Sequence, residues 1–180
     1  MTILKIDSSI TGDASVSRQL TTAIVDQLVS HGSDQRVIAR DLAAEPLDHI
    51  TLAAFADTAV LDEFLAADTI VIGAPMYNFG VPSQLKAWID RIAIAGKTFR
   101  YTETGPEGLA GDKRVIVAVS RGGFYDTSSP VEHVETYLAG VFGFIGITPE
   151  FVTANGIAVG PESRDAGIAN GLSEVERLAA

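Results

Sequence analysis

Residues 69–91 restrict the chain to a narrow set of folds. Thr69 to Ala74 is a short, almost wholly apolar run containing three β-branched aliphatic side chains. Such a run suits a strand covered on both faces, as in parallel sheets flanked by helices. Val81, Leu85, Trp88, Ile89 and Ile92 follow at three- and four-residue spacing, which predicts a helix with one apolar face over residues 81–94. Pro82 suits the first turn of that helix, where a missing N–H costs nothing. Between strand and helix lies Pro75-Met76-Tyr77-Asn78-Phe79-Gly80, a turn of planar side chains and free main-chain N–H groups. In an open α/β sheet such a turn sits at the carboxyl edge of the strands, where ligands bind.

The same alternation extends along the chain. Residues 2–7, 35–41, 69–74, 113–120 and 148–154 read as strands. Residues 15–31, 56–66, 81–94, 130–143 and 161–178 read as helices, and 97–110 as a loop or hairpin excursion. Five strands alternating with helices predict a doubly wound parallel α/β sheet in three layers. With no repeat, linker or low-complexity tract, 180 residues read as one domain over 1–180.

Composition removes several function classes. No stretch approaches the roughly 20 uninterrupted apolar residues of a membrane span. Met1-Thr2-Ile3-Leu4 enters a strand without the basic-then-apolar pattern of a signal peptide. The chain has no cysteine, so disulfides, thiolate catalysis and Cys-ligated metals are excluded. These features fit a cytoplasmic protein. A formal charge of −10 opposes nonspecific binding to nucleic acid or an anionic membrane. His31, His49 and His133 lack metal-ligand spacing, and Glu132 and Glu135 read as a solvated helix face.

Three loops carry the chemistry. The first, residues 8–18, joins strand one to helix one. It contains Ser9, Ser15, Val16, Ser17 and Arg18. Its hydroxyls and the helix N–H groups suit a phosphate, although Ser15 is equally a plain N-cap. Arg18 either neutralises the phosphate or sits solvated on the surface. Neither a P-loop nor a G-x-G-x-x-G fingerprint is present. The second loop is Pro75, Met76, Tyr77, Asn78 and Phe79, whose planar groups beside free amides suit a flat ligand with a polar edge, such as a flavin; otherwise Tyr77 and Phe79 are half-buried turn aromatics. The third is Ser120-Arg121-Gly122-Gly123, where two glycines let main chain approach a ligand closely or make a tight turn. Phe99, Arg100, Tyr101, Phe124 and Tyr125 are candidate walls for a stacked aromatic substrate, or pack on their own domain or a second subunit. With no Ser-His-Asp set or paired-carboxylate site in view, the chemistry falls to a cofactor.

Residues 74–79 with Gln84-Leu85-Lys86, then 98–103 with 105–108, 120–123 and 143–148, resemble the FMN-dependent NADH-azoreductases in the order of that family's motifs. These belong to the flavodoxin-like NAD(P)H:quinone reductases. The resemblance runs to Gly160-Pro161-Glu162. It implies the strand order 2-1-3-4-5, bound FMN, and NADH or NADPH as electron donor. It also implies quinones or azo compounds as acceptors, two half-reactions in ping-pong order, and a homodimer with its site at the subunit interface. Ser9, Ser15, Val16, Ser17, residues 75–79 and residues 120–123 would then hold the cofactor. The segment after Leu42 is shorter than expected of the family. A one-electron flavodoxin-type carrier and a flavin-free binding module are the competing readings.

Overall fold

The structure, a computed structural model, describes residues 1–30 and 34–178. His31 lies outside the described residues. Five strands form one sheet: β1 (Thr2–Asp7), β2 (Arg36–Asp41), β3 (Thr69–Pro75), β6 (Arg114–Ser120) and β7 (Glu150–Ala154). Their order is β2-β1-β3-β6-β7, and every neighbouring pair is parallel. With the excursion set aside this is the expected 2-1-3-4-5. The excursion is an antiparallel hairpin of β4 (Phe99–Thr102) and β5 (Gly105–Gly108).

Alternate residues of each strand feed two cores. Ile70, Ile72, Val115, Val117 and Val119 meet Phe64 of α2 (Ala59–Ala66), Trp88 of α3 (Ser83–Ile92) and Phe142 of α4 (Glu135–Phe144). On the opposite face, Ile3, Val71, Ile116 and Val152 meet Leu20 and Ile24 of α1 (Val16–Ser30) and Val175 of α5 (Pro161–Arg177). All of β3 is buried, because both faces are covered.

Helix starts fall later than expected, by one residue at α1, three at α2 (Ala59 against 56), two at α3 and five at α4. The third helix begins at Ser83, with Pro82 outside it at φ −54° and ψ 142°. Proline bars the preceding Val81 from helical geometry. The Pro82 carbonyl still accepts the first helical bond, from Lys86 at 3.0 Å. The fourth helix begins at Glu135, five residues after Pro130, because the Glu132 carboxylate caps it. That carboxylate accepts from the N–H groups of Val134, Glu135 and Thr136 at 3.0–3.2 Å. Glu132 is buried and Glu135 pairs with Arg121, so the expected solvated face is instead an ion-pair cluster. Among the described residues no helix is long and apolar enough to cross a membrane.

Candidate active site

The carboxyl ends of β1, β3 and β6 come level at one edge, with Asp7 beside Gly73 and Pro75 beside Ser120. β1 and β3 run in adjacent positions while their following helices cover opposite faces, which opens a crevice at this edge. The three loops named above meet there around a cavity of about 450 Å³. That volume lies within the roughly 300–1,000 Å³ range of small-molecule sites.

From the first loop, Ser9, Thr11, Ser15 and Val16 line the cavity. Ser15 is the N-cap of α1, since its Oγ accepts from the Arg18 N–H at 3.2 Å. The N–H groups of Val16 and Ser17 have no partner among the described residues. They are free donors at the positive end of a helix dipole, where negative charge is favoured. Ser17 is fully buried, with its hydroxyl 3.1 Å from that of Ser15. Ser9 Oγ lies 3.1 Å from the Tyr77 hydroxyl, tying the first loop to the second.

Arg18 has neither of its two expected roles. Its guanidinium bonds Asp41 at 2.7 Å and the Ser9 carbonyl at 3.1 Å, and lies 3.8 Å from Asp7. It fastens the loop from below. The Arg18 hydrogen bond is the main reason the Asp41 carboxyl sits at about 2, below its ordinary 3.8, with the Ala43 and Ala44 N–H groups adding to the effect against burial.

In the second loop, Pro75, Met76 and Tyr77 line the cavity. Tyr77 and Gly80 exchange two main-chain hydrogen bonds, at 3.0 and 3.1 Å. The two residues between them have positive φ, Asn78 at 48° and Phe79 at 69°. This is the left-handed two-residue hairpin turn. An aromatic residue in that region costs on the order of 1–3 kcal/mol, and such strain gathers at functional sites. The turn leaves the N–H groups of Asn78 and Phe79 without partners among the described residues. Outside supports hold it: Met76 N–H donates to the Ser120 carbonyl at 2.8 Å and His133 N–H to the Phe79 carbonyl at 3.2 Å. Phe79 packs edge-on against Tyr125 at 5.8 Å.

In the third loop, Ser120 and Gly122 line the cavity. The Gly122 and Gly123 carbonyls accept from Ala158 and Gly156, while their N–H groups have no partner among the described residues. Neither glycine has positive φ; space is their constraint. A Cβ on Gly122 would lie 3.3 Å from Ala158 Cβ, and one on Gly123 3.0 Å from the Tyr125 ring. Arg121 faces elsewhere. Its N–H donates to the Ala154 carbonyl, and its buried guanidinium bonds Glu132 at 3.1 Å, Glu135 and Asn155 at 3.0 Å.

The candidate walls divide. Phe99 is buried against Phe144 at 4.5 Å and belongs to the core. Arg100 is paired with Glu107 in the hairpin. Tyr101 and Phe124 are largely exposed. Three cavity residues lie outside the loops the sequence singles out: Ile157 and Ala158, after β7, and Arg164, from the first turn of α5. Nothing in the local pattern of Arg164 marks it, because a lone arginine early in an amphipathic helix reads as surface. Among the described residues no three metal-ligating side chains cluster.

Known proteins resemble the chain over its length. The family described as having a flavodoxin-like fold matches residues 1–179. The chain is 54% identical over 201 aligned residues to FMN-dependent NADH:quinone oxidoreductase 2 of Bradyrhizobium diazoefficiens, covering 100% of both. It is 53% identical over 190 residues to the FMN-dependent NADH:quinone oxidoreductase of Rhizobium meliloti, covering 94% of the chain and 92% of the relative. The first alignment is longer than the chain's 180 residues, so that relative carries positions this chain lacks. Among solved structures, azoreductase AzrA superposes with a TM-score of 0.90 at 30% identity, covering 99% of each chain. An FMN-dependent NADH-azoreductase from Bacillus anthracis, solved in complex with FMN, superposes at 0.85 and 27% identity, also covering 99% of each.

Proposed function

The chain belongs to the flavodoxin-like family, and from that premise we propose that it is an FMN-dependent NAD(P)H oxidoreductase reducing quinones and aromatic azo compounds by two electrons. One observation carries the reading. Three pairs of N–H groups without a partner among the described residues, at Val16/Ser17, Asn78/Phe79 and Gly122/Gly123, belong to the three loops that meet around one cavity. The names of the quinone oxidoreductase and azoreductase relatives support it.

The residues present fit FMN. The Val16/Ser17 amides with the Ser9 and Ser15 hydroxyls suit its phosphate. The amides of Asn78, Phe79, Gly122 and Gly123 are donors for the polar edge of the ring system, and the Asn78 side chain offers both a donor and an acceptor. Met76 and Tyr77 supply surface for the ring to pack on. Bound FMN supplies the capacity to accept a hydride and pass on two electrons. The chain's own part is to bind, orient and tune. The amides at Gly122 and Gly123 favour negative charge beside them, which raises a flavin's reduction potential. Among the described residues no carboxylate or imidazole lines the cavity, which fits protons drawn from water.

Nicotinamide and acceptor would use one place in turn, which is ping-pong order. A second copy of the chain would seat on the open, largely apolar groove of about 700 Å³ between α3 and α4. That groove begins at Gly80 and includes Val81 and Tyr137. The absence of cysteine fits a cytoplasmic location.

The test is a visible spectrum of the purified protein followed by anaerobic NADH and NADPH. Flavin bands that bleach with a nicotinamide are expected. Bands that resist both would favour the one-electron carrier, and no flavin uptake would favour the binding module. Parallel double-reciprocal lines at several fixed quinone concentrations are expected for the enzyme; intersecting lines would remove the ping-pong order. Light scattering should give twice the chain mass.

A further inference from the structure

We propose that Arg164 is the phosphate-neutralising residue of the site, reaching it from the far end of the chain. The inference rests on the flavin reading above and assigns a residue outside the three loops. Arg164 lines the same cavity as Ser9, Ser15 and Val16. Its guanidinium donates to the Ala14 carbonyl at 3.0 Å, a contact across 150 residues of chain. Ala14 lies two residues before Val16, the first of the two open N–H donors, so the cation stands at the anion site itself.

Charge makes the assignment necessary. A phosphate monoester carries close to two negative charges at neutral pH. The N-terminus of α1 offers the equivalent of roughly half a positive charge, and the surrounding protein is at −10. Arg18, the basic residue nearest in sequence, does not line the cavity and is already committed to Asp41, Asp7 and the Ser9 carbonyl. Among the described residues Arg164 has no carboxylate within ion-pair distance and is the sole cationic side chain lining the cavity. One of its five N–H donors is used on Ala14, which leaves a fork free for a bidentate phosphate contact.

The fold fixes its position. Pro161 opens α5, and the Arg164 N–H donates to the Gly160 carbonyl at 2.9 Å. Ser163 Oγ donates to the Gly156 carbonyl at 2.8 Å. Further along, α5 is pressed onto β7 and α1 at two glycines. A Cβ on Gly167 would lie 2.4 Å from the Asn155 carbonyl oxygen, and one on Gly171 2.9 Å from Leu20. That close approach brings the first turn of α5 over the N-terminus of α1.

The experiment compares FMN with riboflavin, which has the ring system and ribityl chain but no phosphate. Both are titrated by fluorescence into deflavinated wild type, Arg164→Gln and Arg164→Lys. Wild type should prefer FMN, and rising salt should narrow the preference. Arg164→Gln should bind FMN about ten- to a hundred-fold more weakly, the span of a lost charged hydrogen bond, with riboflavin affinity unchanged. Arg164→Lys should fall between. Unchanged riboflavin affinity doubles as proof of folding. An unaltered FMN-to-riboflavin ratio in Arg164→Gln would overturn the inference while leaving the flavin reading intact. Equal loss of both ligands would overturn it too, reducing Arg164 to a strut on Ala14. A wild type that binds neither ligand would remove the flavin reading and this inference together.

Discussion

The Arg121 guanidinium lies 3.1 Å from the Glu132 carboxylate, with side-chain exposures of 1% and 0%. The pair couples two parts of the site. Arg121 immediately precedes the Gly122-Gly123 turn, and Glu132 caps the helix whose approach supports the Phe79 carbonyl through His133. Without Glu132 the guanidinium still pairs with Glu135, so what is lost is a charged acceptor shared by Arg121 and three helix N–H groups, at a cost of about 1.5–3 kcal/mol.

Glu132→Gln should therefore lower urea stability by roughly 2 kcal/mol and weaken FMN binding. Glu135→Gln, at a side chain 17% exposed, should cost less. Burial raises the Glu132 pKa, but the Glu135, Thr136 and Val134 amides with Arg121 outweigh it and hold the pKa below 4.5. A depressed folded value means its stabilisation is present above the unfolded pKa and lost as pH falls through the folded one. Urea melts of both variants from pH 7 downward would decide; equal losses would deny Glu132 its special place.

Asp41 offers a second pH signature. Its folded pKa of about 2 lies below its ordinary 3.8, so its contribution is complete above the unfolded value and disappears as pH falls toward the folded one. Asp41→Asn should flatten acid unfolding between about pH 4 and 2, as followed by circular dichroism. It should also slacken Arg18 on the Ser9 carbonyl and weaken FMN binding modestly. An acid-unfolding slope identical to wild type would show that the Arg18–Asp41 contact does not hold the loop.

The sheet was legible because β3 is apolar on both faces and three ligand loops follow strands at one edge. Glu132 was not legible. Periodicity sees neighbours along the chain, and the partner that buries Glu132 is Arg121, eleven residues away across a loop. Pro82 misled in a smaller way, since it sits one step before the first turn, at the cap, from where its carbonyl still accepts the first helical bond. The left-handed pair at Asn78 and Phe79 was hidden because Tyr-Asn-Phe-Gly places its glycine one position after the two that need positive φ. Arg164 depends on the packing of α5 against α1, which no local pattern reports.

Asn78→Gly should separate stability from binding. At φ 48° glycine is free of the steric cost asparagine bears, while the added freedom of the unfolded chain opposes the gain. The Asn78 side chain has no hydrogen bond among the described residues. Thermal stability should stay within about 0.5 kcal/mol of wild type, while FMN affinity drops up to about ten-fold from the lost polar contacts. A variant that keeps full FMN affinity would reduce Asn78 to a turn former.

Val16→Pro removes one N–H from the anion site without breaking the helix. Val16 is the first residue of α1, the position at which proline is tolerated because its N–H has no helical partner. Proline also demands an extended residue before it, and Ser15 already has φ −73° and ψ 124°. The side chain is buried at the end of the α1 core face, where a ring of similar size replaces it. FMN should bind about ten-fold more weakly for the lost charge-assisted bond, riboflavin should be unaffected, and the melting temperature should move by only a few degrees. Measured by the same fluorescence titrations, an FMN affinity equal to wild type in a folded variant would take the phosphate away from the α1 N-terminus.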